Sequence, residues 1–501
     1  MVKRAGGALL LGLRLDRGSD RSVSLRLCQE MRRLILNGDL QPGERLPSSR
    51  TLARELGVSR TTSLTAFDQL IAEGLLEARV GSGTYVSAAL TANRPVAPRD
   101  EPGAPAPDKM EARLARAVAS ASENFFRRLS HPEKPCAFVT GMPAVDEFPM
   151  AQWSRLMAKH FRGPRSLVTG YCEAEGFFPL RRAIAAHLRA NRGISCEPEE
   201  VFIVNGAQQA FNVIAGLTLD PGDKVWFENP GGIGGRNSLI AAGAELIPAP
   251  VDADGLVVAD AWRRAPDFRM AFVTPSHQQP LGSTMSLERR LELLRAAAEA
   301  RAWIVEDDYD GEFHYSGRPL PTVKSVDKTE RVFYVGTFSK TLFPALRLGF
   351  FIAPPAMIPV VQRFFNATLQ GAPTCIQGVV ADFIEEGHFA THIRRMRRLY
   401  AERHEVFQAA ARRWFDGALD VLRTDSGFQT TGWLTGGVSA QAVAAAAAAR
   451  GVVVSPVEKF CLEPIADEGL VLGFSSIPEK EIARGAAALA QVLEDPALRA
   501  A

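Results

Sequence analysis

The chain has little that would hold it together apart from a hydrophobic core. Six cysteines, Cys28, Cys136, Cys172, Cys196, Cys375 and Cys461, are scattered through 501 residues. That is too sparse for a disulfide frame and lacks metal-ligand spacing, so free thiols in a reducing cytoplasm are expected, and no metal. No uninterrupted apolar span is long enough to cross a bilayer, so a membrane partner is not expected. The opening MVKRAGGALLLGLRLDRG has a basic tip and a short apolar run. It has no clear small-residue cleavage site and reads as a terminal arm or short strand, not a secretory leader. Excess charge is missing too. The formal net charge of +2 hides an Arg-rich stretch to about Ala88 and a more acidic domain after it.

What is present is globular. Hydrophobic residues make up 46% and charged residues 23% of the chain, which excludes disordered and fibrous classes. A length of 501 residues exceeds one ordinary core and calls for two or more domains.

Residues 20–88 read as the first domain. Ser24 to Asn37 carries Leu27, Met31, Leu34 and Ile35 on one helical face, and Gly38 closes it. Pro47 and Ser48 or Ser49 start a short helix, Arg50 to Leu56, which Gly57 stops. Ser59 then caps a second helix from Arg60 to Glu73. Two short helices joined by a tight Gly-Val turn form a helix-turn-helix. The second is the recognition helix, with Ser59, Arg60, Thr61, Thr62 and Thr65 in the half that enters the major groove of double-stranded DNA. Arg60 suits guanine or phosphate, and the hydroxyls suit phosphates. Arg50 and Arg54 join this DNA-binding set, and Leu64, Phe67 and Leu70 are expected to bury against the first helices. After Gly74 the pattern turns β, through Leu75 to Arg79, a Gly81 to Thr84 turn, and Tyr85 to Val86. This hairpin is a wing that offers Arg79, Gly81 and Thr84 to the DNA backbone. Any one of these arginines suits a solvated helix face; their joint placement favours nucleic acid.

Residues 89–135, rich in Pro, Ala and charge, read as an extended, mobile linker. Within it, Met110 to Arg128 is either a helix with Leu114, Val118 and Phe125 or Phe126 on one face, or a segment docked on the larger domain.

Residues 136–501 read as a large α/β domain. A helix begins near Met150, and Leu180, Ile184, Ala185 and Leu188 repeat at helical spacing. Strands Val201 to Val204, Lys224 to Phe227, Glu245 to Pro248, Met270 to Val273, Trp303 to Glu306 and Val332 to Val335 alternate with helical runs. That pattern implies three layers, with the site at the strand C-terminal ends. Gly206, Ala207 and Gln208, between a strand and a helix, suit phosphate binding through backbone amides, although many α/β connections look the same. Lys340 follows the last of these strands on a turn lined by Thr337 and Ser339, with Arg347 behind it. A neighbouring cation and partial desolvation lower a lysine's pKa and free its amine to attack an aldehyde; a phosphate-binding or surface lysine is the other reading. In EDDYDGEF, Glu306 to Phe313, a carboxylate beside Tyr309 can meet a protonated heterocyclic nitrogen. An acidic cluster alone more often holds Mg²⁺ or faces solvent. The simplest ligand common to all these features is pyridoxal 5'-phosphate.

The first domain resembles the GntR-type winged helix-turn-helix, through Leu46 to Arg50, Leu56 to Arg60 and Gly81 to Thr84. From Gly141 onward the chain resembles fold-type I aminotransferases, and the fusion resembles the MocR/PdxR regulators. The resemblance implies a mostly parallel central sheet and a smaller C-terminal α+β subdomain. It makes Lys340 the Schiff-base lysine, Arg347, Thr337 and Ser339 phosphate ligands, Asp307 the ring-nitrogen partner and Tyr309 the neighbour of the ring hydroxyl. His277 falls in the family's Pro-Ser-His-Gln turn, and Tyr171 matches the tyrosine that reaches a partner subunit's phosphate, implying a homodimer with shared sites.

Two positions depart from the pattern. Gly232 stands where an aromatic residue usually stacks on the ring, and Val471 where an arginine usually pairs with a substrate carboxylate, with Arg423 and Arg450 as possible substitutes. The expectation is a cytoplasmic regulator that senses pyridoxal phosphate, or an amino acid or amine as its external aldimine, in control of vitamin B6, amino-acid or amine metabolism. A working aminotransferase with an autoregulatory DNA-binding domain is the alternative, and Lys340 leaves that chemistry open.

Overall fold

The computed structural model describes residues 22–91, 125–126, 136–315, 320–495 and 498. These fall into two compact units that divide at residues 112 and 113. The N-terminal arm, and the expected linker apart from residues 89–91 and Phe125 and Phe126, lie outside the described residues.

In the first unit, α1 (Val23–Asn37) ends at Gly38, whose φ of 82° only glycine adopts freely. α2 (Ser49–Leu56) starts at Ser48, whose hydroxyl accepts from the Thr51 amide, and stops at Gly57 with φ 65°. α3 (Arg60–Ala72) starts at Ser59, whose hydroxyl accepts from the Thr62 amide at 3.1 Å. The hairpin pairs β1 (Leu76–Arg79) with β2 (Gly83–Val86). Leu27, Met31, Leu52, Phe67, Leu70 and Val86 are among the residues of one buried core. Leu64, expected inside, is 39% exposed. The buried stripe of α3 runs through Ser63, Ala66, Phe67 and Leu70, spaced i, i+3, i+4, i+7, which turns position 64 outward.

The second unit is built on an eight-stranded sheet of order β3-β10-β9-β8-β7-β4-β5-β6. Its strands are β3 (Val201–Val204), β4 (Lys224–Asn229), β5 (Glu245–Asp252), β6 (Gly255–Leu256), β7 (Met270–Val273), β8 (Trp303–Asp308), β9 (Val332–Thr337) and β10 (Gly349–Ile352). The run from β5 through β4, β7 and β8 to β9 is parallel, while β10 lies antiparallel between β9 and β3. Both faces are covered, so alternate residues enter different cores. Phe333 and Val335 pack with Phe202, Val204 and Phe351, whereas Tyr334 packs with Ile203, Phe350 and Ile352. Two helices feed the upper edge of this sheet, α5 (Ala207–Thr218) after β3 and α6 (Ile233–Ala241) after β4; α4 (Phe178–Asn191) precedes β3 and buries Leu180, Ile184, Ala185 and Leu188.

A second, antiparallel sheet of order β11-β12-β14-β13 forms the C-terminal subdomain, from β11 (Leu419–Val421), β12 (Gln429–Leu434), β13 (Ser455–Pro456) and β14 (Gly469–Gly473). The long helix α7 (His388–Trp414) and α8 (Glu479–Leu493) share its core through Phe407, Phe474, Ile482 and Leu489. Among the described residues no helix is long and apolar enough to cross a membrane.

Candidate functional site

Parallel strands end at one edge of the sheet, and a cavity of about 420 Å³ opens there. β8 carries the acidic run into it. This strand reaches Asp308, two residues past the end that the sequence pattern implied, so Asp307 lies on the strand and alternation sorts the carboxylates. Glu306 points away and accepts the Val323 and Lys324 amides at 2.9 and 2.8 Å. Asp308 also points away, held by Arg192 at 2.5 Å and by the Tyr334 hydroxyl at 2.5 Å. Asp307 lines the cavity, and its Oδ1 is buried with no hydrogen-bond partner among the described residues. Burial, then the charges of Asp308, Asp310 and Glu228, raise its pKa well above the usual carboxylate range; Lys340 pulls it down.

Lys340 sits one turn past β9 in a short helix, Phe338–Thr341. Its Nζ lines the same cavity and donates to the Gly141 carbonyl. A Cβ at residue 141 would lie 3.2 Å from that Nζ, and the backbone there has φ 67°, so glycine suits the position twice over. Burial lowers the Lys340 pKa, Asp310 and Asp307 oppose the shift, and Arg347 adds to it.

The other end of the cavity has the character of an anion site. Thr337 Oγ1 accepts from the Ser339 amide at 3.1 Å, and both residues line the space. α5 begins there at Ala207, preceded by Gly206 at φ 85°. A Cβ on Gly206 would come within 3.1 Å of Arg347 Nη2, so the arginine lies over the helix start. Arg347 itself takes a left-handed conformation, φ 49°, which costs a non-glycine residue about 1 kcal/mol. Gln208 reaches this edge too, but its side-chain amide is engaged with Gly234 O at 3.1 Å and with Ser238.

Tyr309 lines the cavity, and its hydroxyl donates to the His277 carbonyl at 3.0 Å. His277 itself is fully buried behind the tyrosine, its Nδ1 2.7 Å from Asp310 Oδ2, and does not line the cavity. Burial raises the Asp310 pKa, against the pull of His277. Tyr171 is 94% exposed and stands apart from this chain's own cavity. In the winged helix unit, Arg50, Arg54, Ser59, Arg60, Thr61, Arg79 and Gly81 are exposed, and Thr62 and Thr84 half-buried. The Arg79 guanidinium rests 4.5 Å from the Tyr85 ring centroid.

Residues 24–86 match the family of bacterial regulatory proteins of the gntR type, and residues 147–489 match the aminotransferase class I and II family. A probable rhizopine catabolism regulatory protein, MocR of Rhizobium meliloti, is 42% identical over 94% of each chain. The transcriptional regulator TauR of Rhodobacter capsulatus is 34% identical over 95% of this chain and 97% of its own. The pyridoxine biosynthesis regulator PdxR of Corynebacterium glutamicum is 30% identical over 91% and 93%. The chain belongs to the MocR/PdxR family of GntR-type transcription regulators. Among solved structures, the kynurenine aminotransferase of Pyrococcus horikoshii superposes with a TM-score of 0.67 at 25% identity, covering 78% of this chain and 96% of that one. The large unit thus has the fold of the pyridoxal-phosphate aminotransferases, and the small one that of the GntR regulators.

Against this family pattern, the remaining walls are apolar or neutral. Val471 is fully buried in the middle of β14, in a cluster with Ile233, Val457, Phe460 and Cys461. Neither Arg423, exposed and paired with Glu405, nor Arg450, exposed at the end of its helix, lines the cavity. A Cβ on Gly232 would meet Gln279 Oε1 at 2.7 Å, so this glutamine head occupies the space beside the glycine. Gln279, Gln429, Ile233 and Phe460 all line the cavity, and sequence reasoning missed all four. Gln279 follows directly on the His277-Gln278 turn, a local signal; Gln429 and Phe460 arrive from the C-terminal subdomain with none. A fifth missed residue, Arg236, is fully buried behind them. It donates to Cys461 O at 3.0 Å and Lys459 O at 2.8 Å, stacks 3.3 Å from the Phe126 ring centroid, and its pKa is lowered by burial to about 10.

Proposed function

We propose that this chain is a transcription regulator that binds double-stranded DNA through its winged helix and holds pyridoxal phosphate in the large unit as its sensor of amino compounds or of the cofactor itself. The observation that carries the cofactor reading is Asp307, a buried carboxylate with an unpartnered oxygen, in one cavity with Lys340 and an arginine-covered helix start. Each of these features is costly alone, and one ligand with an aldehyde, a ring nitrogen and a phosphate satisfies all three. Lys340 would hold the aldehyde carbon, Asp307 the ring nitrogen and Tyr309 the ring hydroxyl side. Thr337, Ser339, Arg347 and the amides of Ala207 and Gln208, with Gly206 leaving room, would hold the phosphate. His277 would act from behind, fixing Tyr309. Bound there, the cofactor supplies an electrophilic carbon for amines and an electron-withdrawing ring. A protonated ring nitrogen held against Asp307 would lower its raised pKa, since an opposite charge favours the carboxylate.

The exposed Tyr171 supports a homodimer in which each subunit completes its partner's phosphate site. Arg60, Thr61 and Ser59 at the start of α3 would face the major groove, Arg50, Arg54 and Thr62 the phosphates around it, and Arg79, Gly81 and Thr84 the backbone beside the wing. The names of the relatives support regulated genes in vitamin B6 or amino-compound metabolism, and a DNA target supports a cytoplasmic location. Turnover of amino acids is not the favoured use of the site, because Val471 supplies no carboxylate partner.

Absorption spectroscopy tests the cofactor reading. The purified full-length chain mixed with pyridoxal phosphate is expected to gain a band that persists through gel filtration and is lost in Lys340→Ala. An intact protein without such a band would sink it.

A further inference from the structure

Resting on the cofactor reading above, we propose that the effector is a primary amine that carries hydroxyl groups and no carboxylate or other anionic group. The wall of the cavity away from Arg347 is where an incoming amine's body must lie, and its composition is specific. Val471 fills the position from which a carboxylate partner would extend. It sits between Thr431 and Ser455 in the sheet register and is fully buried in the cluster that holds Ile233 and Phe460, the two apolar side chains that line the cavity there. Lys340 and Arg347 are the cationic side chains among the described residues lining the space, and both are taken by the cofactor. A carboxylate placed against this wall would lose its water and gain no counter-charge.

Two neutral amides replace the arginine. Gln429 enters from the first residue of β12, is 2% exposed, and its Oε1 has no hydrogen-bond partner among the described residues. Gln279 turns its Oε1 toward Gly232, and among the described residues its backbone, not its side-chain head, makes the hydrogen bonds. Each amide offers an acceptor and two donors, a match for hydroxyl groups, which are both donor and acceptor. A buried amide left without a partner is costly, so the pair selects for ligands that satisfy it and against purely aliphatic amines.

Calorimetric titration of the full-length, pyridoxal-phosphate-loaded protein decides the matter with matched pairs: 2-amino-1,3-propanediol against serine, and 3-amino-1-propanol against β-alanine. In each pair the alcohol is expected to bind at least roughly tenfold more tightly than the acid. Gln429→Leu should weaken the alcohols by about the same factor and leave the acids as weak as before. Val471→Arg should reverse the preference. Tighter binding of the acids by the unaltered protein overturns the proposal, and so does a Gln429→Leu protein with undiminished alcohol affinity. A loaded protein that shows its cofactor band yet binds neither alcohol removes the proposal alone, whereas failure to load cofactor removes the reading beneath it.

Discussion

Asp307 is separated from two other carboxylates by nothing more than the alternation of a strand. Glu306 and Asp308 look like equal candidates in a run of acids, yet each turns to the far side and finds amides, an arginine or a tyrosine. Replacing Asp307 with Asn keeps the shape and removes the charge that a ring nitrogen needs. A charge-assisted hydrogen bond contributes about 1.5–3 kcal/mol, so Asp307→Asn should weaken pyridoxal phosphate roughly 10- to 100-fold in an absorption titration. Asp308→Asn should instead act mainly on thermal stability, by leaving Arg192 buried without its counter-charge. At this scale short local motifs near strand ends made Lys340, Tyr309 and Arg347 legible as candidates, and the structure brings them to one cavity; Asp307 was set apart from Glu306 and Asp308 by resemblance alone. Gln279 and Gln429 were not legible as a pair, since they come together from segments 150 residues apart only when the C-terminal subdomain closes the cavity.

Helix caps decide the winged helix unit at the scale of elements. Ser48 and Ser59 accept the same kind of bond, each from the amide three residues on at 3.1 Å. Changing either to Ala should cost about 1 kcal/mol in thermal or denaturant unfolding. Only Ser59→Ala should also lower DNA affinity beyond that loss of fold, because Ser59 starts α3 at the groove end; equal DNA binding by the two variants in a fluorescence titration would contradict this assignment. The caps at Ser48, Ser59, Gly38 and Gly57 were readable because each has a local chemical cause. The inward register of α3 was less so: Leu64 is as apolar as its neighbours, and tertiary packing chose Ser63 for the inner face instead. The antiparallel insertion of β10 between β9 and β3 also has no local signature, being a matter of which edges meet.

Across the whole molecule, two buried histidines on α7 make the large unit sensitive to acid. Burial lowers the pKa of both His392 and His404 to about 4; Arg423 lowers His404 further, while the Thr341 backbone hydrogen bond to His392 pulls the other way. A folded pKa below the unfolded value means that the unfolded chain binds the proton first. Stability is therefore full above about pH 6.5 and is lost as the pH falls toward 4. At pH 5 each histidine removes about 2 kcal/mol. His392→Phe keeps the ring beside Phe148, where the two stand 5.6 Å apart edge to face, and should shrink the fall in melting temperature between pH 7 and pH 5; an unchanged fall would remove His392 from this account.

The two-unit plan was legible from the change in periodicity and charge along the chain, and the relatives match it across both units. Occupancy of Lys340 is expected to alter DNA binding. DNA titration at matched salt, with apo, pyridoxal-phosphate-loaded and Lys340→Ala protein, tests it most directly. Loading is expected to change affinity or stoichiometry in the unaltered protein, and the Lys340→Ala protein to stay in the apo state whether or not cofactor is added. Identical titration curves for all three would contradict it.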